Sequence, residues 1–227
     1  MSNARRDVLL IHGMGRSPIS MMLLGARLRR AGYRPHYFGY WVTIESFDAI
    51  VARLVKRLRR FGPRPVAIVA HSLGGLLSRV AVDRLQTERD PTIVRLIQLG
   101  TPNQSPRMAR WLKPWWLFHW VFGDCGRFLA TPERYVQIPA PSLPIFIVAG
   151  SIGWYGRISP FGEEPNDGLV AVSEAAIANV PMEVHRATHS LMLFNRHVIR
   201  RVQQLLDADF QGAHACQPSS NSPFKSP

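Results

Sequence analysis

The sequence predicts an α/β fold, a mostly parallel sheet flanked by helices, and two observations carry that prediction. Residues 8–11, 66–70, 93–99 and 145–149 are short, nearly unbroken aliphatic runs, the pattern of parallel strands buried on both faces. Segments of helical period alternate with them. Phe47, Ile50, Val51, Leu54, Val55 and Leu58 form one apolar stripe, with Arg53, Lys56, Arg57, Arg59 and Arg60 mostly off it. Leu73, Leu76, Leu77, Val80, Ala81 and Leu85 form a second, and Val198, Ile199, Val202, Leu205 and Leu206 a third. Strands alternating with helices read as crossover units on a parallel sheet.

The chain has 227 residues, which suits a single domain over residues 1–210. Two stretches break the rhythm. Residues 101–143 are longer than a crossover needs and hold four of the six tryptophans, so they read as a lid or cap insertion. Pro114 and Gly123 bracket a short, largely apolar helix within it, flanked by Arg107, Arg110, Lys113 and Arg127. Residues 211–227 show no periodicity and read as a disordered tail.

Lys and Arg number 28 against 15 Asp and Glu, a formal net charge of +13. That excess implies attraction to anionic surfaces or substrates. Tryptophan beside Arg and Lys in the insertion points to a peripheral contact with anionic membrane lipid. The basic residues lie scattered over helix faces without a nucleic-acid-binding motif, so no nucleic-acid partner is expected. Cys125 and Cys216 are far apart and form no recognisable framework, which fits a reducing, cytoplasmic setting. No apolar run approaches the roughly 18 residues of a membrane span.

The chemistry concentrates at Ala70-His71-Ser72-Leu73-Gly74-Gly75, placed between a strand and a helix. Ala70 two residues before Ser72 and Gly74 two after it permit the tight turn that lifts a serine hydroxyl above a sheet edge. A serine is a poor nucleophile without a base, and His189 is the best-placed imidazole, in a loop after the strand candidate 182–186. His185 would sit on that strand, and His71 is expected to turn away from Ser72. Asp167, in Asn166-Asp167-Gly168, is the candidate acid that orients His189, with Glu163 and Glu164 as alternatives; Asn-Asp-Gly is also an ordinary turn sequence. His12-Gly13-Met14-Gly15 follows the first strand, and the N–H groups of Met14 and Leu73 are the candidate oxyanion donors. His12 itself reads as a loop organiser.

These segments, together with Leu99-Gly100-Thr101-Pro102-Asn103-Gln104 and Thr188-His189, resemble a small bacterial esterase/lipase of the α/β-hydrolase superfamily over about residues 8–210. The resemblance implies a Ser-Asp-His triad of Ser72, Asp167 and His189, an oxyanion hole at Met14 and Leu73, a carboxylic ester substrate, and neither metal nor other cofactor. The chain departs from larger members in starting directly at the oxyanion strand, and it has Ser105-Pro106 where Gly-Ser is frequent. A thioesterase or acyltransferase with the same triad is the alternative within the class. A non-catalytic, membrane-binding member of the fold is the alternative outside it.

Overall fold

The computed structural model describes residues 6–85, 87–114, 116–138 and 143–215. Six parallel strands form one sheet: β1 (Asp7–Ile11), β2 (Arg34–Phe38), β3 (Pro65–His71), β4 (Thr92–Leu99), β5 (Ile145–Gly150) and β6 (Met182–His185), in the order β2-β1-β3-β4-β5-β6. The aliphatic runs of the sequence are the four central strands. Their side chains alternate between two cores. Leu9, Ile11, Ile68, Ala70 and Ile147 face one side, and Val8, Leu10, Val69, Ile97 and Val148 the other.

Helices α1 (Met22–Arg30), α2 (Phe47–Arg59), α3 (Leu73–Asp83) and the C-terminal helix (Arg196–Ala215) cover both faces of the sheet. Leu54, Leu58, Leu76 and Leu77 close the first core; Leu24, Leu28, Val202 and Leu206 close the second. All six stripe residues of α2 are buried. At about 1.5–3 kcal/mol each, their burial outweighs the Ser46 cap, whose Oγ accepts from Ala49 N–H at 3.2 Å and contributes about 1 kcal/mol.

β2 is the strand that the hydrophobic pattern does not announce. Its sequence, Arg-Pro-His-Tyr-Phe, lies at the sheet edge with four of five residues exposed or half-buried. An edge strand tolerates Pro35, which a central strand would not. The C-terminal helix runs to Ala215, so helical structure continues five residues past the expected end of order at Phe210; residues 216–227 lie outside the described residues.

Between β4 and β5 the chain forms α4 (Arg107–Leu112), α5 (Trp116–Leu129) and α6 (Pro132–Tyr135). The expected end of the apolar helix at Gly123 is a break inside α5, where φ is 51° and ψ −138°. A Cβ there would lie 2.6 Å from the Val42 carbonyl oxygen, so only glycine fits. The half after the break is part of the core. Cys125, Phe128 and Leu129 are buried, Phe128 stacks on Phe47 at 4.0 Å, and Asp124 Oδ2 accepts from Phe47 N–H at the start of α2. Before the break, Trp120 is 71% exposed, and Thr43 Oγ1 donates to the Val121 carbonyl at 3.0 Å. Trp115 lies outside the described residues. Among the described residues no helix is long and apolar enough to cross a membrane.

Candidate active site

Chain order places β2 and β3 on opposite sides of β1, so the connections leave in opposite directions above the carboxyl ends of β1 and β3. In open α/β sheets, that switch point opens a crevice. Register pairs Ile11 with Ala70, and Ala70 with Gln98, which brings the loop after β1, the β3–α3 turn and the loop after β4 to one edge.

Ser72 stands at the turn with φ 54° and ψ −125°, a conformation that only glycine adopts without strain. The surroundings hold it there. Ser72 N–H donates to the Leu99 carbonyl at 2.9 Å, and Thr101 Oγ1 donates to the Ser72 carbonyl at 3.1 Å. Any Cβ on Gly74 would lie 2.6 Å from the His12 carbonyl oxygen, so this glycine lets α3 begin directly against the loop after β1.

His189 and Asp167 complete a continuous hydrogen-bonded chain with Ser72. His189 Nε2 is 2.9 Å from Ser72 Oγ, and His189 Nδ1 is 2.7 Å from Asp167 Oδ2. An ionised carboxylate only accepts, so Nδ1 carries the proton and Nε2 is left as the acceptor facing the hydroxyl. Both partners are buried, Asp167 at 2% and His189 at 5% exposure, and His189 N–H donates to the Asp167 carbonyl at 2.8 Å. The other carboxylate oxygen, Oδ1, accepts from Leu169 N–H at 3.0 Å and Val170 N–H at 2.8 Å.

The turn around Asp167 is itself a built object. Asn166 is fully buried, accepts from Gly168 N–H and Trp154 N–H, and donates to the Trp154 and Glu164 carbonyls. Thus the turn reading and the acid reading of Asn-Asp-Gly coincide: the turn aims the acid. The alternative acids lie elsewhere. Glu163 is exposed, while Glu164 pairs with Arg107 and accepts from Ser173 N–H. His185 sits on edge strand β6 beside Glu183, away from Ser72.

The loop after β1 is braced by His12. Tyr40 N–H donates to His12 Nε2 at 3.3 Å, which fixes the proton on Nδ1, and Nδ1 donates to the Gly13 carbonyl at 2.8 Å. Tyr40 stacks on the imidazole at 4.2 Å, and its hydroxyl donates to the His12 carbonyl at 2.8 Å. Among the described residues, neither Met14 N–H nor Leu73 N–H donates a hydrogen bond within the protein. Two unengaged donors at this position are able to receive a developing oxyanion.

His71, which the sequence offers only as a bystander, packs beneath His189. Its Nε2–H donates to the His189 carbonyl at 2.9 Å, with ring centroids 4.7 Å apart, and its Nδ1 is buried without a partner. Burial, together with the nearby His189 and Arg16, pushes the His71 pKa well below the usual histidine value; burial lowers that of His12 as well. The folded protein therefore refuses protons that the unfolded chain accepts below about pH 6.5. Stability from these two imidazoles is present above that pH and is lost as pH falls toward their folded values. Melting temperature should thus drop steadily from pH 7 to pH 5. A flat profile would show that both rings take up protons in the native state.

Above Ser72 opens a cleft of about 530 Å³, walled by Met108, Leu112, Phe122, Leu129 and Val170. Two helices of the inserted segment, α4 and α5, thus contribute most of its apolar side. A second groove of about 690 Å³ adjoins it, and the two share Gly15, Arg16 and Val121. Arg16 is a site residue that the sequence reading passed over, although it follows directly on the loop already singled out. The Cys125 thiol is buried and pushed up to about 12 by that burial and by Asp124, so it is no competing nucleophile. Among the described residues no cluster of three or more His, Cys, Asp or Glu side chains is placed to hold a metal ion.

No protein-family model and no curated protein matches the sequence. Solved structures do match the fold. A lipase of Bacillus licheniformis in its mature form superposes with a TM-score of 0.70 at 19% identity, over 89% of this chain and 92% of that one. The phospholipase PlaB of Legionella pneumophila gives 0.71 at 13% identity, over 92% of this chain and 62% of that one. A thioesterase domain from the curacin biosynthetic pathway gives 0.60 at 13% identity, over 90% and 92%. Identities this low speak for architecture, and the architecture is unambiguous: the chain has the α/β-hydrolase fold.

Proposed function

We propose that this protein is a serine-dependent carboxylic ester hydrolase, esterase- or lipase-like, acting on lipid or other acyl esters through an acyl-enzyme. The observation that carries this reading is the Asp167–His189–Ser72 hydrogen-bonded chain, at 2.7 and 2.9 Å, ending on a serine held in a strained turn. The acyl chain lies in the apolar cleft. Ser72 Oγ attacks the ester carbonyl as its proton passes to His189 Nε2, and the N–H groups of Met14 and Leu73 receive the oxyanion. Asp167 holds the Nδ1–H tautomer and stabilises the imidazolium. His189 then gives its proton to the departing alcohol as the carbon–oxygen bond breaks. Water, deprotonated by His189, attacks the acyl-serine, releases the acid and restores Ser72.

A fluorescent fluorophosphonate tests this proposal without knowledge of the natural substrate, because it phosphonylates an activated serine. Native protein should label stoichiometrically, and labelling should vanish in Ser72→Ala. Failure of folded native protein to label, with and without detergent, would overturn the reading.

A further inference from the structure

Arg16 follows the glycines of the loop after β1 and reaches across to the other side of the cleft, where its Nη2 donates to Ser190 Oγ. It lines both the 530 Å³ cleft and the 690 Å³ groove, and it is the only charged side chain among the described residues lining either. Its neighbours are neutral. Among the described residues no carboxylate lies within ion-pair distance of it, whereas Arg53, Arg95, Arg134 and Arg201 each pair with one and Arg107 with two. A half-buried guanidinium facing two open clefts, with one hydroxyl as its side-chain partner among the described residues, retains most of its donors for a ligand.

We infer that Arg16 binds an oxyanion, phosphate or carboxylate, carried on the alcohol half of the ester, and that the second groove receives that half. The inference rests on the ester-hydrolase reading above, and the direction follows from the site. The departing oxygen must lie at His189 Nε2, because His189 protonates it. Ser190, where Arg16 is anchored, is the next residue in the loop that carries His189, and Arg16 is shared by both clefts, so its guanidinium is open to a group that extends from Ser72 into the second groove. The walls agree. Met108, Leu112, Phe122 and Leu129 make one cleft apolar, while the other sets Ser17, Ser20 and Thr43 among Ile19, Trp41, Val42 and Phe194, so that a polar head beside Arg16 keeps hydroxyl partners within a partly apolar groove. A planar guanidinium matches phosphate and carboxylate with paired, charge-assisted hydrogen bonds. The formal charge of +13 draws such substrates toward the protein from a distance.

The test compares the butyryl esters of glycerol, of glycerol phosphate and of glyceric acid, with native protein, Arg16→Gln and Arg16→Lys. Native protein should prefer one or both anionic esters over the glycerol ester by about 10- to 100-fold in kcat/KM, and the better of the two identifies the oxyanion. In Arg16→Gln that preference should collapse toward one, chiefly through KM for the anionic ester, and Arg16→Lys should keep part of it. Glycerol phosphate should inhibit native protein competitively and Arg16→Gln much less. Hydrolysis of all three esters at similar kcat/KM by native protein would overturn the assignment and leave the hydrolase reading intact. So would equal losses on all three in Arg16→Gln, which would make Arg16 a brace for Ser190. Hydrolysis of none of them, without fluorophosphonate labelling, would overturn both.

Discussion

Ser72→Ala should lower turnover of an activated ester by about 10⁴-fold or more, and Ser72→Gly should do the same while making the protein more stable than the native form. The first expectation follows from the proposed covalent step: among the described residues no other hydroxyl lies within hydrogen-bond reach of His189 Nε2. The second follows from backbone geometry. Ser72 sits at φ 54° and ψ −125°, which costs a residue with a Cβ about 1–3 kcal/mol and costs glycine almost nothing. Glycine also loses about 0.5–1 kcal/mol through the greater freedom of the unfolded chain, so the relief wins by a modest margin. For a chain of this size the net gain corresponds to a rise of several degrees in melting temperature. Ser72→Ala keeps the strained geometry and should melt close to the native temperature. Calorimetry alongside ester kinetics reads both effects. Substantial turnover in Ser72→Ala would place the nucleophile elsewhere, and a less stable Ser72→Gly would mean that the turn stores no strain.

Gly13→Ala should cost about 10²–10³-fold in kcat with little change in KM, the loss typical of one displaced oxyanion donor. An added Cβ would lie 2.7 Å from His71 Nδ1 and 2.9 Å from Ser72 Cβ. His71 is buried and tied to the His189 carbonyl, and Ser72 is fixed between Leu99 and Thr101, so neither gives way cheaply. The loop must back off instead, carrying Met14 N–H with it. Fluorophosphonate should still label the variant, more slowly, because the Ser72–His189 contact does not depend on that loop. Activity within a few-fold of native would show that the loop after β1 positions no donor.

Much of this molecule was legible before any coordinate. β1, β3, β4 and β5 lie inside a sheet covered by helices on both faces, so both alternate rows of side chains are apolar and the strands stand out as aliphatic runs. The turn at Ser72 was legible because its crowding admits only small neighbours, which leaves a short local signature. β2 was not legible. At the sheet edge half its surface meets solvent, and the hydrophobic run that marks a central strand is not required there. The inserted segment was legible as an insertion, but not as two halves divided by Gly123. That division comes from the Val42 carbonyl, a contact 81 positions back in the chain.

The same distinction holds at the site. Residue types and their order are already written in the chain: a serine in a tight turn, an acid in an Asn-Asp-Gly turn, a histidine before the last helix, and glycines after the first strand. Each is a local requirement of backbone geometry, and local requirements are written in adjacent residues. Which groups meet was settled by the packing of the folded chain. It brought His189 to Ser72 across 117 positions, set Asp167 rather than Glu163 or Glu164 on the imidazole, and turned His71 beneath it. It also left Arg16 facing two clefts, with Ser190 its one side-chain partner among the described residues. Those outcomes depend on sheet order and on the packing of distant loops, where hydrogen-bond reach of about 3 Å selects one neighbour among several chemically equivalent ones.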